Sequence, residues 1–132
     1  MLNNIIYREL SYTINGLCFR VHNELGRFCR EKQYANRFEQ LLNINGIKYV
    51  REIKIPFVFK DELIDGNIAD FLIEDKIILE CKAEKFITKK DYYQIQRYLK
   101  AANKNLGIIV NFNDKYLKPR RIINYSQIRI NS

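Results

Sequence analysis

The stretch NIADFLIEDKIILECKAE, residues 67–84, decides the fold. It contains two mostly apolar runs separated by a short polar segment, which is typical of two strands joined as an antiparallel hairpin. Asp70 lies in the first predicted strand, and Glu80 and Lys82 lie in the second. Because Glu80 and Lys82 are two residues apart, their side chains leave the same face of that strand. The hairpin therefore carries charges where an apolar face would be expected.

The register of this hairpin decides whether the charges meet. If the hairpin is centred on Asp75, Asp70 lies directly opposite Glu80, and opposed residues of an antiparallel pair share a face. Two carboxylates and an ammonium group then converge. A slip by one residue would move Asp70 to the other face of the sheet. The alternative to a functional site is an exposed strand on which Glu80 and Lys82 form an ordinary surface charge pair.

Converging carboxylates have a chemical use. Asp70 and Glu80 would repel each other unless a cation lay between them, and hard divalent ions such as Mg²⁺ take oxygen ligands of this kind. Such an ion polarises a phosphoryl oxygen and lowers the pKa of water, while an adjacent lysine can orient that water or offset charge on the phosphate. Asp70, Glu80 and Lys82 together therefore suit the hydrolysis of a phosphodiester bond.

Hydrophobic periodicity predicts the elements on either side of the hairpin. Helices are predicted over residues 9–25, 34–42 and 91–102, and strands over residues 49–59, 64–73, 76–83 and 106–112. Pro56 places the first strand at an edge or at a bulge. The order of helix, helix, three strands, helix and strand predicts an α/β fold with a mixed sheet.

Composition restricts the class of protein. The 132 residues suit one domain, and 47% hydrophobic and 13% aromatic residues exclude a disordered chain. We find no apolar run long enough to cross a membrane and no signal peptide. Cys18, Cys29 and Cys81 are odd in number and lack metal-type spacing, so we expect reduced thiols in the cytoplasm. The net charge of +8 favours a polyanionic partner without identifying it.

The sequence resembles a known superfamily. Asp70 followed by Glu80, Cys81 and Lys82 matches the PD-(D/E)xK signature of restriction-endonuclease-like proteins, and the chain from about residue 10 to residue 123 resembles the small GxxExxR protein family within it. The residues that carry this resemblance are Gly26, Phe28, Glu31, Tyr34, Ala69, Asp70, Glu80, Cys81, Lys82, Ala83, Gln94, Tyr98, Leu99, Lys100, Leu106, Gly107, Asn111 and Phe112. The resemblance implies one nuclease-like domain over residues 1–132. Its core would be a helix, a three-stranded meander, a helix and a fourth strand, with helices flanking a mixed central sheet.

The resemblance also implies a role for each residue of the site. Asp70, Glu80 and the backbone carbonyl of Cys81 would hold Mg²⁺ or Mn²⁺. Lys82 would position or activate the attacking water, and Glu31 would add a further carboxylate beside the metal. The expected activity is that of a metal-dependent endonuclease.

The later segments would complete the site and grip the substrate. Gln94 would project toward the site from the third helix. Basic residues would hold the phosphate backbone of nucleic acid, with DNA as the expected partner; these are Lys85, Lys89, Lys90, Arg97, Arg120 and Arg121. Small nucleases often dimerise, so the protein could be either a monomer or a homodimer.

Three other functions remain open at this point. The fold could bind nucleic acid without cutting it, or serve as a protein-assembly module whose positive charge meets an acidic partner. It could also hydrolyse small phosphorylated ligands, which would require a deep pocket in place of an open basic groove. Intact Asp70, Glu80 and Lys82 favour the nuclease over a non-catalytic module.

Overall fold

A computed structural model describes residues 6–59, 62–64 and 66–126 of the chain. Within these residues, the helices are α1 (Arg8–Leu25), α2 (Glu31–Ile44) and α3 (Lys89–Ala102). The strands are β1 (Tyr49–Lys54), β2 (Phe57–Phe59), β3 (Glu62–Ile64), β4 (Ile68–Ile73), β5 (Ile77–Lys82), β6 (Leu106–Asn111) and β7 (Arg120–Ile123). None of the described helices is long and apolar enough to cross a membrane.

The main sheet has five strands in the order β1-β4-β5-β6-β7. The pairs β1–β4, β4–β5 and β6–β7 are antiparallel, whereas β5–β6 is parallel because α3 connects these two strands. The predicted α/β class, with its mixed sheet, is confirmed, and the architecture is consistent with a restriction-endonuclease-like fold. Strands β2 and β3 form a separate two-stranded sheet.

Alternating side chains of β5 divide the core into two layers. Ile77, Leu79 and Cys81 are buried with side chains of α1 and α2 on one face of the sheet. Ile78 is buried on the other face among residues of α3. Lys82 and Glu80 have the same parity as Ile78, so the site lies at the α3 side of the sheet.

Helix α3 approaches the sheet closely at Gly107 of β6. A Cβ atom at this position would lie 2.6 Å from Cγ2 of Ile95, a core residue of α3. Glycine is therefore required for α3 to pack at this depth, and this depth places the first turn of α3 beside the end of β5.

Two predicted strands are broken in the structure. The strand predicted over residues 49–59 divides into β1 and β2, with Ile55 and Pro56 between them. The strand predicted over residues 64–73 divides into β3 and β4, and Gly66 between them has a φ of 94° that breaks the extended run. Residues 60, 61 and 65 lie outside the described part of the chain. The apolar residues Ile122 and Ile123 belong to β7, a strand at the edge of the main sheet. Periodicity alone did not predict this strand.

Candidate active site

The carboxylates of Asp70 and Glu80 each accept a hydrogen bond from a backbone N–H of the opposite strand end. The backbone N–H of Asp70 donates to Glu80 Oε1 at 2.7 Å, and the backbone N–H of Cys81 donates to Asp70 Oδ2 at 2.7 Å. The adjacent register pairs Phe71 with Leu79, which centres the hairpin on Asp75 and confirms the predicted register. Where the regular β4–β5 pairing ends, carboxylates replace carbonyl groups as the acceptors of backbone N–H groups.

The neighbouring pairing with β1 is also distorted at this point. It passes from Arg51 opposite Phe71 to Ile53 opposite Ala69, and Glu52 between them has a φ of 53°. A left-handed φ is strained for a non-glycine residue, and such strain is often found at functional sites. Asp70 therefore lies where the regular pairing is interrupted on both sides, which leaves its carboxylate to take part in other contacts.

The two carboxylates lie in a poorly solvated position. Only 5% of Glu80 is exposed, and burial, followed by the charge of Asp70, raises the pKa of Glu80 from 4.5 to about 8. Burial also raises the pKa of Asp70, although the hydrogen bond from Cys81 and the charge of Lys82 act in the opposite direction. The pair therefore resists being doubly ionised at neutral pH unless a cation compensates the charge.

This arrangement suits a divalent cation. Asp70 Oδ1 and Glu80 Oε2 accept no hydrogen bond from the described residues, so each carboxylate keeps an oxygen for a further partner. Because the N–H and C=O of one strand residue point toward the same neighbouring strand, the Cys81 carbonyl also faces β4. No three His, Cys, Asp or Glu side chains of the described residues come together as a metal cluster, so the protein offers two carboxylates rather than a closed cage.

Lys82 lies on the same strand face, one pleat beyond Glu80. Its Nζ is 3.8 Å from Oδ1 of Asp91 in the first turn of α3, and both side chains are mostly buried. Burial alone would lower the pKa of Lys82, but the carboxylates of Glu80, Glu31 and Asp91 more than offset burial and raise it. Asp91 is a site neighbour that the sequence reasoning missed, because it was assigned only as the start of a helix.

Glu31 reaches the site from the other layer. It is the first residue of α2, and its pKa is raised by burial and then by the charge of Asp70. The bend before α2 is fixed by Tyr34, whose hydroxyl donates to the Gly26 carbonyl at 2.6 Å and whose ring stacks on Phe112 with centroids 4.4 Å apart. The structure thus brings Glu31 near the acid pair without placing it in a metal cluster.

Gln94 is half-buried on α3. It lies three residues after Asp91 and four before Tyr98, which places all three on one face of the helix. Tyr98 is buried, and burial followed by the charge of Glu80 raises its pKa. Gln94 makes no hydrogen bond to the described residues, so its predicted role stays a prediction.

Asn111 positions the chain that follows Lys82. It pairs with Lys82 across β5 and β6 and is 3% exposed. Its Nδ2 donates to the Glu84 carbonyl at 2.7 Å, and its Oδ1 accepts the Glu84 N–H at 3.0 Å. The sequence signal was a single polar residue at the end of the apolar run LGIIV, and no role was predicted for it.

The residues predicted to bind nucleic acid divide into two groups. Lys85, Lys89, Lys90, Arg97 and Arg120 are exposed, as a phosphate contact requires. Arg121 is different: its guanidinium donates to Ser11 Oγ and to the Ile6 carbonyl, each at 2.7 Å, and burial lowers its pKa. In this structure Arg121 therefore forms hydrogen bonds with α1 and with the residue that precedes this helix by two positions.

A carboxylate pair and a lysine at the end of a mixed α/β sheet are typical of nuclease-like proteins of the restriction-endonuclease type. Comparison with protein families agrees, because the model described as PD-(D/E)XK nuclease superfamily matches residues 8–123. The chain belongs to this superfamily. Membership suggests a nuclease-like function on nucleic acid with a divalent metal.

Solved structures support the fold. The structure titled "Crystal structure of SSO0001" is similar with a TM-score of 0.54 and 17% sequence identity, over 89% of this chain and 71% of that chain. At this identity the likeness concerns the fold alone. No curated protein matches the sequence.

Proposed function

We propose that this protein is a nuclease that hydrolyses phosphodiester bonds of DNA with Mg²⁺ or Mn²⁺, and that it belongs to the GxxExxR family within the superfamily. The observation that carries the proposal is the position of the two carboxylates: the Asp70 N–H donates to Glu80, the Cys81 N–H donates to Asp70, and Lys82 lies on the same strand face as Glu80. An ordinary surface charge pair would be solvated, whereas Glu80 and Lys82 are mostly buried and Asp70 is half-buried.

Each residue of the chain has a stated task in this proposal. Asp70 and Glu80 would hold the metal, with the Cys81 carbonyl as a third ligand. When bound, such an ion would polarise the scissile phosphate as a Lewis acid and lower the pKa of a bound water. The Lys82 ammonium orients the attacking water and offsets negative charge on the phosphate as the bond breaks. Glu31 adds negative charge beside the pair, which strengthens the attraction for a cation.

Two positioning tasks fall to neighbouring groups. Asp91 holds Lys82 by an ion pair at 3.8 Å, so that the ammonium stays at the end of β5. Gln94 lies on the same face of α3 and would contact the substrate or the water. Exposed Lys85, Lys89 and Lys90 hold the phosphate backbone by charge, without reading sequence.

The test is cleavage of plasmid and linear DNA by the purified protein with Mg²⁺ or Mn²⁺. We expect Lys82→Ala to abolish cleavage while the far-UV circular dichroism spectrum stays that of the wild type. Lys104→Ala is the matched control, since it removes the same charge from a lysine that binds Asp75 at the turn end of the sheet. Cleavage by Lys82→Ala at the wild-type rate would refute the site assignment. Binding of DNA by all variants with cleavage by none would favour the non-catalytic module.

The proposal includes a cellular setting. Cys18, Cys29 and Cys81 are free thiols, and two of them are buried, which is in keeping with a reducing compartment such as the cytoplasm. We propose that residues 1–132 act as one nuclease-like domain. Light scattering with and without DNA distinguishes a monomer from a homodimer.

A further inference from the structure

Three loops meet at the end of the sheet that carries Lys82. The chain after β5 is bound to the end of β6 by the two hydrogen bonds between Glu84 and Asn111. The chain after β6 is bound to the bend between α1 and α2, because Arg27 Nε donates to the Asn113 carbonyl at 2.9 Å and Asn113 Nδ2 donates to the Arg27 carbonyl at 3.1 Å. These contacts hold the three loops side by side.

Each loop presents one exposed aromatic ring with a cation beside it. Phe28 is 85% exposed, Phe86 is 70% exposed and Tyr116 is 72% exposed. In each case the preceding basic residue lies over or beside the ring: the distances to the ring centroid are 5.3 Å for Arg27, 5.9 Å for Lys85 and 5.5 Å for Lys115. Within the described residues, every cation–π contact to an exposed ring belongs to these three loops.

Neither folding stability nor core packing explains this repetition. An exposed phenylalanine buries little apolar surface, and one scattered on a surface needs no explanation. Here, however, the same basic–aromatic step occurs on all three loops that adjoin Lys82 and Glu31. A flat ring with a cation beside it matches a nucleotide, because the base stacks on the ring while the cation meets the phosphate.

We propose that Phe28, Phe86 and Tyr116 form a stacking surface for unpaired bases, so that the protein prefers single-stranded nucleic acid over duplex. The bases of a duplex are already stacked on each other and do not offer free faces to rings on separate loops. This inference deepens the proposed nuclease function by naming the form of its substrate. It rests on that function only for the cleavage of the bound strand.

The test measures binding without cleavage. A fluorescein-labelled DNA single strand of about 15 nucleotides, the same sequence as a duplex, and an abasic strand of equal length are titrated in EDTA and followed by anisotropy. We expect the wild type to bind the single strand more tightly than the duplex. Phe28→Ala, Phe86→Ala and Tyr116→Ala should each weaken binding of the single strand by roughly 5- to 100-fold.

The abasic strand separates stacking from charge. It keeps the phosphates and loses the bases, so the alanine variants should bind it as the wild type does. Phe86→Trp keeps a stacking ring and should retain affinity for the base-bearing strand, whereas Phe86→Leu keeps an apolar side chain and should lose it. The slope of affinity against salt concentration should not change in the ring variants, because they remove no phosphate contact.

Tyr12→Ala is the matched control. Tyr12 is 80% exposed on α1 and lies about 20 Å along that helix from the bend before α2. Removing an exposed ring there should leave all three affinities unchanged. Because the substituted rings are exposed, we expect each variant to fold, and far-UV circular dichroism checks this.

The outcome is independent of whether the protein cuts. Ring-dependent preference for the base-bearing single strand supports the stacking surface even if no metal produces cleavage. Equal affinity of wild type and ring variants for the single strand overturns it, even if the protein cuts DNA in a Lys82-dependent manner. Tighter binding of the duplex than of the single strand also overturns it.

Discussion

Without metal, the buried acid pair should make the fold less stable as the pH rises. The pKa of Glu80 is raised from 4.5 to about 8 by burial and by Asp70, and it returns to its ordinary value on unfolding. Between these values the folded state binds the proton more tightly, so the stabilisation is complete below the unfolded pKa and is lost as the pH rises through the folded pKa. The shift corresponds to at most about 5 kcal/mol.

Urea unfolding in EDTA, followed by circular dichroism between about pH 5 and about pH 8, measures this loss. Glu80→Gln replaces the acid with a neutral group of the same shape that still accepts the Asp70 N–H. We expect the free energy of unfolding of the wild type to fall over this range by several kcal/mol more than that of Glu80→Gln. At the upper end of the range, the variant should therefore be the more stable protein.

Two controls make the comparison specific. Glu74→Gln changes a carboxylate at the turn of the same hairpin, which is bound to the Lys48 N–H, and should keep the wild-type pH dependence. Addition of Mg²⁺ near pH 8 should stabilise the wild type and have little effect on Glu80→Gln, because a ligand stabilises only a state that binds it. Parallel pH profiles for wild type and Glu80→Gln would refute the reasoning, since they would mean that Glu80 is not buried as an acid.

Two further predictions concern residues around the site. Asn111→Ala should lower the free energy of unfolding by about 1–3 kcal/mol and reduce cleavage, because it removes the two hydrogen bonds that the buried Asn111 side chain makes to the Glu84 N–H and C=O. Urea unfolding and initial cleavage rates measure this. Arg121→Gln should lower the melting temperature through loss of its bond to Ser11, whereas the adjacent Arg120→Gln should weaken DNA binding and leave the melting temperature unchanged. The reverse pattern would contradict the structural division between these two arginines.

The acid pair could be predicted from sequence because its geometry depends on short-range rules. Parity alone puts Glu80 and Lys82 on one face, and a tight turn at Asp75 allows few registers. Only the register with Asp70 opposite Glu80 brings the three charges together, and it is the observed one. The relative positions of Asp70, Glu80 and Lys82 could therefore be predicted from the single stretch of residues 67–84.

The broken strands show where the same reasoning fails. Ile53, Ile55, Phe57 and Phe59 keep one parity on both sides of Pro56, so periodicity gives no sign that the chain leaves the main sheet there. Proline removes one N–H donor, which is compatible both with an edge strand and with a strand end. The last β1–β4 pair joins Lys54 to Ile68, and one further hydrogen bond, from the Ile55 N–H to the carbonyl of Asn67 before β4, spans 2.8 Å. Such a contact is not visible in the local pattern.

The roles of Arg120 and Arg121 could not be separated for a related reason. Both are basic and follow a loop, and adjacent strand residues face opposite sides. The position of α1 decides which side of the strand is covered. On that side, Ser11 Oγ and the Ile6 carbonyl accept hydrogen bonds from the guanidinium of Arg121. A basic residue therefore has no assigned partner until the packing of the helices is known.

The hydrogen bonds of Asp70 determine which variants can test its function. Asp70→Ala would remove the charge, but it would also leave the buried N–H of Cys81 without its acceptor, at a cost of about 1–3 kcal/mol. Loss of cleavage in that variant would not distinguish a missing metal ligand from a displaced strand end. Asp70→Asn keeps an oxygen for the Cys81 N–H and removes the charge. Folded, inactive Asp70→Asn with wild-type stability would assign Asp70 to catalysis, whereas an Asp70→Asn that still cuts would assign it to the fold alone.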